Sequence, residues 1–391
     1  MKKGKINLII VLSIFLLISG LFGYKKRVFA LETSNFEFKS KCCYMIDYNS
    51  GTEILKHNEN ERRTIASMCK IMTLLLCFES IEKSEIDFND KIIVSENASG
   101  MGGSQIFLEN GGEYQVSELI KGIVVASAND ACVAMAEKLT GSEDNFVNLM
   151  NEKAKELGMD NTNFVNCTGL PKAGQYSSAK DVAIMFSELL KHPKYFEFSN
   201  IWMDKIQHPK DRITEISNTN KLIRFYKGCD GGKTGYTTES GHCLSATAMR
   251  NGMRLISVVI SSPDSKTRFK EVSDMFNYGF ANYSNKRVVD CKTPLDVEIF
   301  VKGGKKESTK AVSEKDIFIF CKKDEKCDVE ISINPIKGVK APVKKGTSLG
   351  ELHVFKNGIE IAQSKIVSCE DVERTTYGDD IIKIIANWSI I

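Results

Sequence analysis

At 391 residues the chain is long enough to build two hydrophobic cores. Its 42% hydrophobic and 26% charged content is that of a globular protein, which excludes a disordered class. With 53 basic and 50 acidic side chains the formal net charge is only +3, so bulk electrostatics gives no case for a nucleic-acid partner.

The N-terminus carries an export signal. Lys2, Lys3 and Lys5 precede an uncharged, mostly apolar run from Ile6 to Gly23, and Val28-Phe29-Ala30 offers small residues at the −3 and −1 positions of a cleavage site. Residues 1–30 therefore read as a signal peptide or as an uncleaved N-terminal anchor, because the run approaches spanning length and Lys25, Lys26 and Arg27 follow it. Either reading exports the rest of the chain to the extracytoplasmic face of the membrane or to the cell wall. The 12 cysteines would suggest disulfides in such a protein. Cys69, Cys77, Cys132 and Cys167 lie in apolar contexts, however, and adjacent Cys42 and Cys43 cannot easily bridge to each other. Most of them read as thiols packed in the core as small hydrophobes. Cys321 and Cys327, flanking Lys-Lys-Asp-Glu-Lys, are spaced to face each other across a hairpin.

The globular part opens with two short strands, Cys42–Ile46 and Thr52–Leu55, about the turn Asn49-Ser50-Gly51. Next comes Ser67-Met68-Cys69-Lys70, at the head of a run that stays apolar through Phe78. That run is hydrophobic nearly all round and reads as a buried helix. Helical spacing puts Ser67 Oγ and the Lys70 amine on one face. Burial disfavours a charged lysine, and a neutral one can take a serine proton. Backbone N–H groups in a first turn also suit an oxyanion. Glycine-rich Gly100–Gly112 reads as a loop, not a phosphate cradle, since no Lys-Ser/Thr follows it on a helix. Helical spacing recurs in Val116–Val125, Asp130–Leu139, Phe146–Leu157 and Ala179–Leu190. From Gly228 the pattern turns to strands, His242–Met249 and Arg254–Ser261, and Lys266–Tyr283 closes the unit as a helix. The order implies one sheet assembled from both ends of the segment, with helices on its faces.

Composition shifts near Asn285. Short alternating strands such as Leu295–Val301 and Val329–Ile333 follow, with Lys/Gly/Asp turns. The domains read as 31–287, then a β-rich unit 288–375, then a short amphipathic tail 376–391. In the tail Ile381, Ile384, Ile385 and Trp388 share a helical face that either lies in a membrane interface or docks on the β domain.

Two more motifs give the Ser67–Lys70 pair its weight. Ser127-Ala128-Asn129 falls in the gap between two predicted helices, and Lys233-Thr234-Gly235 follows Gly231-Gly232 just before a predicted strand. Each motif alone is common, but S-x-x-K, S-x-N and K-T-G in this order mark serine penicillin-recognising enzymes. The chain resembles the low-molecular-mass penicillin-binding proteins, the serine-type D-alanyl-D-alanine carboxypeptidases, from about Cys43 to Tyr283. Further stretches carry the likeness: Tyr44-Met45-Ile46-Asp47 with Gly51, Gly103-Ser104-Gln105, Ser127-Ala128-Asn129-Asp130-Ala131, Asn166-Cys167-Thr168-Gly169-Leu170, Tyr176-Ser177-Ser178-Ala179-Lys180-Asp181 and Asp230–Gly235. Ile65, Gln175 and Cys42-Cys43 depart from the family's usual residues without removing a catalytic group.

The resemblance implies an α+β fold: a penicillin-recognising serine transpeptidase-like domain, with an antiparallel sheet, helices on its faces and a helical subdomain, followed by a small all-β domain. It implies Ser67 as nucleophile, Lys70 as its base, Ser127 as proton donor to the leaving amine, and Asn129 bonded to the substrate carbonyl and to Lys70. Lys233 would polarise Ser127, Thr234 would meet the terminal carboxylate, and the backbone N–H groups of Ser67 and of Tyr236, just past Gly235 on the strand edge, would hold the oxyanion. Arg268 sits where the family binds the carboxylate, although an ordinary helix-surface arginine fits its spacing equally well. The implied substrate is the peptidoglycan stem pentapeptide, with β-lactams as inhibitors. No metal or organic cofactor is called for, since His192, His208 and His242 are isolated from ligand-like partners in sequence. Two rivals share these motifs: a serine β-lactamase and a non-catalytic wall-peptide binder. The first expects a glutamate after S-x-N, which Asn161–Leu170 lacks; the second expects a lost catalytic group, and none is lost.

Overall fold

The computed structural model describes residues 36–379 and residue 381. The predicted signal or anchor segment 1–30 and the amphipathic face of the tail lie outside the described residues. The first sheet is antiparallel throughout. Its strands are β1 (Cys42–Asp47), β2 (Glu53–His57), β7 (Cys229–Thr237), β8 (Gly241–Arg250) and β9 (Met253–Ser262), in the order β2-β1-β9-β8-β7. Two strands from the start of the segment thus join three from its end, as the element order requires. All six residues of β1 are buried, which explains its unbroken Cys-Cys-Tyr-Met-Ile-Asp run. Between β2 and β7 lies the helical insert, with the small hairpins β3/β4 (Lys91–Ile93, Glu113–Gln115) and β5/β6 (Met203–Gln207, Ile213–Ser217) at its margins.

Helix α1 (Lys70–Glu82) runs through the middle of the main core, with every residue from Lys70 to Phe78 buried. Around it pack α2 (Asn129–Thr140), α3 (Glu143–Glu156) and α4 (Ala179–Leu189). Two of these start on serine caps: Ser142 accepts from Asn145 N–H, and Ser178 from Asp181 N–H. Helix α5 (Ser265–Asn282) covers β8 and β9, its first turn capped by Asp264. The predicted helix Val116–Val125 is α-helical only over Val116–Lys121; Gly122–Ala126 forms one wider π-type turn.

The β-rich part begins at Tyr283 with β10 (Tyr283–Val289), which continues directly from α5 and pairs with β13 (Ile317–Lys322). A six-stranded sheet of order β14-β16-β17-β12-β11-β15 follows. Its strands are β11 (Glu298–Lys302), β12 (Ser308–Ser313), β14 (Glu330–Pro335), β15 (Val339–Lys340), β16 (Ser348–Lys356) and β17 (Ile359–Ser368). Leu295–Val297, expected within a strand, lies before β11. Leu295 N–H still bonds Ala311 O, but Val297 N–H turns back onto Leu295 C=O, a tight turn that interrupts the ladder ahead of β11. Cys321 and Cys327 are disulfide-bonded across their turn. Eight of the free cysteines are buried. Burial pushes Cys243 up to about 11 and Cys132 up to about 12, so both stay protonated and pack as apolar groups.

Candidate active site

Ser67 sits on a single 3-10 turn, Ala66–Cys69, not inside α1 as its motif suggested. Such a turn stacks positions i and i+3 almost directly, which brings Lys70, the first residue of α1, under it. Lys70 Nζ lies 3.1 Å from Ser67 Oγ and also donates to Thr168 O. One turn further, Thr73 Oγ1 donates to Cys167 O at 2.7 Å. The 166–168 carbonyls therefore hold the N-terminal end of α1. Asn166 organises that loop: its Oδ1 accepts from Gly169 N–H at 2.7 Å and its Nδ2 donates to Leu170 O. At Gly169 (φ +80°) an added Cβ would lie 2.0 Å from Ala66 O, so only glycine lets the loop lie against the Ser67 turn.

Ser127 ends the π-type turn in a left-handed conformation, φ +64°, uncommon for a residue with a Cβ. Strain of this kind gathers at functional sites, as do π-turns. Its Oγ accepts a hydrogen bond from Lys233 Nζ at 2.7 Å, and both side chains are buried. Lys233 reaches it from β7. Burial first, then the nearby Lys70 and Arg268 charges, hold the Lys233 amine well below the ordinary lysine range.

Asn129 opens α2. Its backbone N–H bonds Ser104 O and its Nδ2 bonds Gly102 O, both at 2.7 Å. The bond to Lys70 implied by the resemblance is not made: the Gly102–Ser104 loop takes the amide, and Asn129 Oδ1 is buried without a partner.

On β7, Thr234 is buried, and an added Cβ on Gly235 would fall 2.7 Å from Ile65 O and 3.1 Å from Ser67 N. The strand edge thus touches the Ser67 turn. Tyr236 is exposed and its ring stacks on His242 across the ladder, centroids 4.4 Å apart. Burial and the Arg268 charge hold His242 below its ordinary value. Arg268 is not an ordinary surface arginine: it is only 8% exposed and donates to Gly235 O at 3.1 Å and Cys243 O at 3.2 Å, with Nε left unpartnered. It braces the K-T-G strand from α5.

Every residue singled out from sequence, from Ser67 to Arg268, thus gathers around the junction of α1, α2 and β7. A narrow cleft beside them is lined by Thr64, Ile65, Leu170, Thr237 and Glu239. A wider open depression of about 580 Å³ lies elsewhere, between β1, β2 and α4, and none of its lining residues belongs to the S-x-x-K, S-x-N or K-T-G motifs. Sequence reading missed the backbone carbonyls of Gly102, Ser104 and Thr168, and held Asp130 only as a member of the Ser127–Ala131 stretch, with no role. The only signals were the Gly-Ser-Gln and Asn-Cys-Thr-Gly stretches, which name side chains while the work is done by main chain. His192 and His208 serve the fold, bonding Glu82 and Tyr114.

A serine with a lysine at its hydroxyl, faced by a second serine–lysine pair on an antiparallel sheet with a helical insert, defines a serine penicillin-recognising hydrolase. Residues 29–264 match the D-alanyl-D-alanine carboxypeptidase family model, and residues 283–374 match that of the penicillin-binding protein 5 C-terminal domain. The chain belongs to the D-alanyl-D-alanine carboxypeptidase family. It is 40% identical over 359 residues to D-alanyl-D-alanine carboxypeptidase DacF of Bacillus subtilis, covering 92% of each chain. To DacC of Escherichia coli it is 30% identical over 352 residues, 84% of this chain and 83% of that one. Among solved structures, penicillin-binding protein 5 of Haemophilus influenzae superposes with a TM-score of 0.68 at 30% identity, over 88% of this chain and all of that one. PBP3 of Streptococcus pneumoniae gives 0.74 at 25% identity, over 86% of this chain and 100% of that one.

Proposed function

We propose that this D-alanyl-D-alanine carboxypeptidase works through an acyl-enzyme on Ser67 and trims peptidoglycan stem pentapeptides to tetrapeptides. The observation that carries the reading is the 3.1 Å contact between the buried Lys70 Nζ and the half-buried Ser67 Oγ. Lys70 takes the hydroxyl proton as Oγ attacks the carbonyl between the two D-alanines. The backbone N–H groups of Ser67 and Tyr236 hold the oxyanion, and Gly235 is what permits that approach. As the C–N bond breaks, Ser127 passes a proton to the departing D-alanine amine while Lys233 holds its hydroxyl. Water then hydrolyses the Ser67 ester, returning the serine. Thr234 and the Arg268 charge meet the terminal carboxylate, which an endopeptidase would have no reason to attract, and Asn129 holds the peptide backbone.

A slow deacylation of penicillin distinguishes this site from a β-lactamase. Thr168 O occupies the Lys70 amine, residues 161–170 hold no acidic side chain, and Glu143, which reaches that loop, is bonded by Cys167 N–H and thiol. A fluorescent penicillin should label the wild-type protein stably and release slowly. Rapid turnover of a chromogenic cephalosporin would overturn the carboxypeptidase reading in favour of the β-lactamase, and absence of labelling would favour a binding-only protein. The enzyme acts outside the cytoplasm, after export on residues 1–30, with residues 31–287 as the catalytic domain and 288–375 as the β-rich one. Membrane contact through the tail 376–391 or an uncleaved anchor belongs to the same reading. No helix of the described residues is long and apolar enough to cross a membrane.

A further inference from the structure

Asp130, in the first turn of α2, is wholly buried. Its carboxylate is met by backbone N–H groups, not by a cation. Ile106 N lies 3.2 Å from each oxygen, Leu108 N 3.0 Å from Oδ2, and Ala131 N 2.9 Å from Oδ1. Between the two loop donors, Phe107 takes φ +61°, a left-handed conformation for a bulky residue. That bend turns the N–H groups flanking it onto one carboxylate. The helix N-terminus adds its own preference for negative charge. The same loop supplies Gly102 O and Ser104 O to Asn129. Consecutive residues of α2 therefore grip one loop in opposite senses: Asp130 accepts from it and Asn129 donates to it.

We propose that Asp130 is a positioning residue for acylation, acting through Asn129. By fixing residues 106–108 it fixes the Gly102 and Ser104 carbonyls, and these hold the Asn129 amide in one orientation beside the substrate. Asp130→Asn keeps the volume but turns an NH2 group against N–H donors, so at least one loop bond is lost. The Asn129 amide then samples orientations that do not meet substrate. The role rests on the acyl-enzyme reading, with Asn129 facing the peptide.

The test is a double-mutant cycle with Asn129→Ala, read as the second-order rate of acylation by a fluorescent penicillin, with thermal melting measured alongside. Asp130→Asn alone should slow acylation on the order of tenfold, and in the Asn129→Ala background it should change the rate by less than about twofold. Full-rate acylation by Asp130→Asn, or an equal loss in both backgrounds, would overturn the proposal. Gly103→Ala gives a second route should Asp130→Asn not fold. A Cβ there would come within 2.8 Å of Asn129 Nδ2, displacing the loop carbonyls without touching Asp130. Its loss should likewise vanish in Asn129→Ala, and a loss independent of Asn129 counts against the mechanism. Failure of the wild type to label would sink the acyl-enzyme reading, whereas a labelled wild type with a fully active Asp130→Asn sinks the positioning role alone.

Discussion

Lys233 Nζ and Ser127 Oγ, separated by 106 positions in sequence, meet at 2.7 Å in the buried centre of the site. The contact couples the S-x-N turn to the K-T-G strand through a lysine whose charged form is disfavoured by burial and by Lys70. Its lowered pKa means that the neutral amine appears at lower pH than for a free lysine. Stability follows the same sign. The unfolded chain holds a proton that the folded Lys233 gives up early, so the wild type should gain melting temperature relative to Lys233→Met as pH rises toward the free-lysine value. A pH-independent difference between the two proteins would contradict this.

Ser67→Ala should abolish penicillin labelling and D-alanine release with the fold intact, since a small side chain replaces a small one on the turn. Lys70→Arg should be nearly as severe, because a guanidinium cannot deprotonate to act as base. Intact-mass spectrometry after penicillin treatment checks both; an acyl adduct on Ser67→Ala would disprove the nucleophile assignment.

Gly235→Ala tests the approach of β7 to the nucleophile's turn. The added Cβ would sit 2.7 Å from Ile65 O, so strand and turn must part. An oxyanion donor moved out of place costs on the order of a hundredfold in rate. Acylation should fall by about that factor, while circular dichroism stays that of the wild type. Unchanged acylation would mean that the oxyanion is held elsewhere.

Arg268→Ala should separate recognition from bracing. Loss of a charged hydrogen bond to the substrate carboxylate costs about 2–3 kcal/mol, roughly thirty- to 150-fold in kcat/KM on a free-acid D-Ala-D-Ala peptide. An amidated peptide has no charge to meet and should lose far less. Some loss on both is expected, together with a lower melting temperature, because Gly235 O and Cys243 O lose their donor. Equal losses on the two peptides would confine Arg268 to bracing β7.

The Ser67–Lys70 pair proposed to carry the chemistry was legible in the chain because it is tied to local spacing. Ser67 and Lys70 meet through three residues of helical turn, and the apolar run behind them announces a buried helix. The strand–helix–strand order likewise fixed a sheet built from both ends of the segment, since β1 and β9 have no other way to bury both faces. What no local pattern encodes is main-chain direction in loops. Thr168 O on Lys70, Gly102 O on Asn129 and the N–H groups around Asp130 depend on left-handed residues such as Phe107 and on glycines packed against distant turns. The same holds for Arg268, whose helical spacing fits a surface position. Only the packing of α5 on β8 and β9 turns it inward to the carbonyls of β7 and β8. Side-chain identity set the reaction, and the tertiary structure decided which backbone groups orient it, because every residue carries the same N–H and C=O and only the fold aims them.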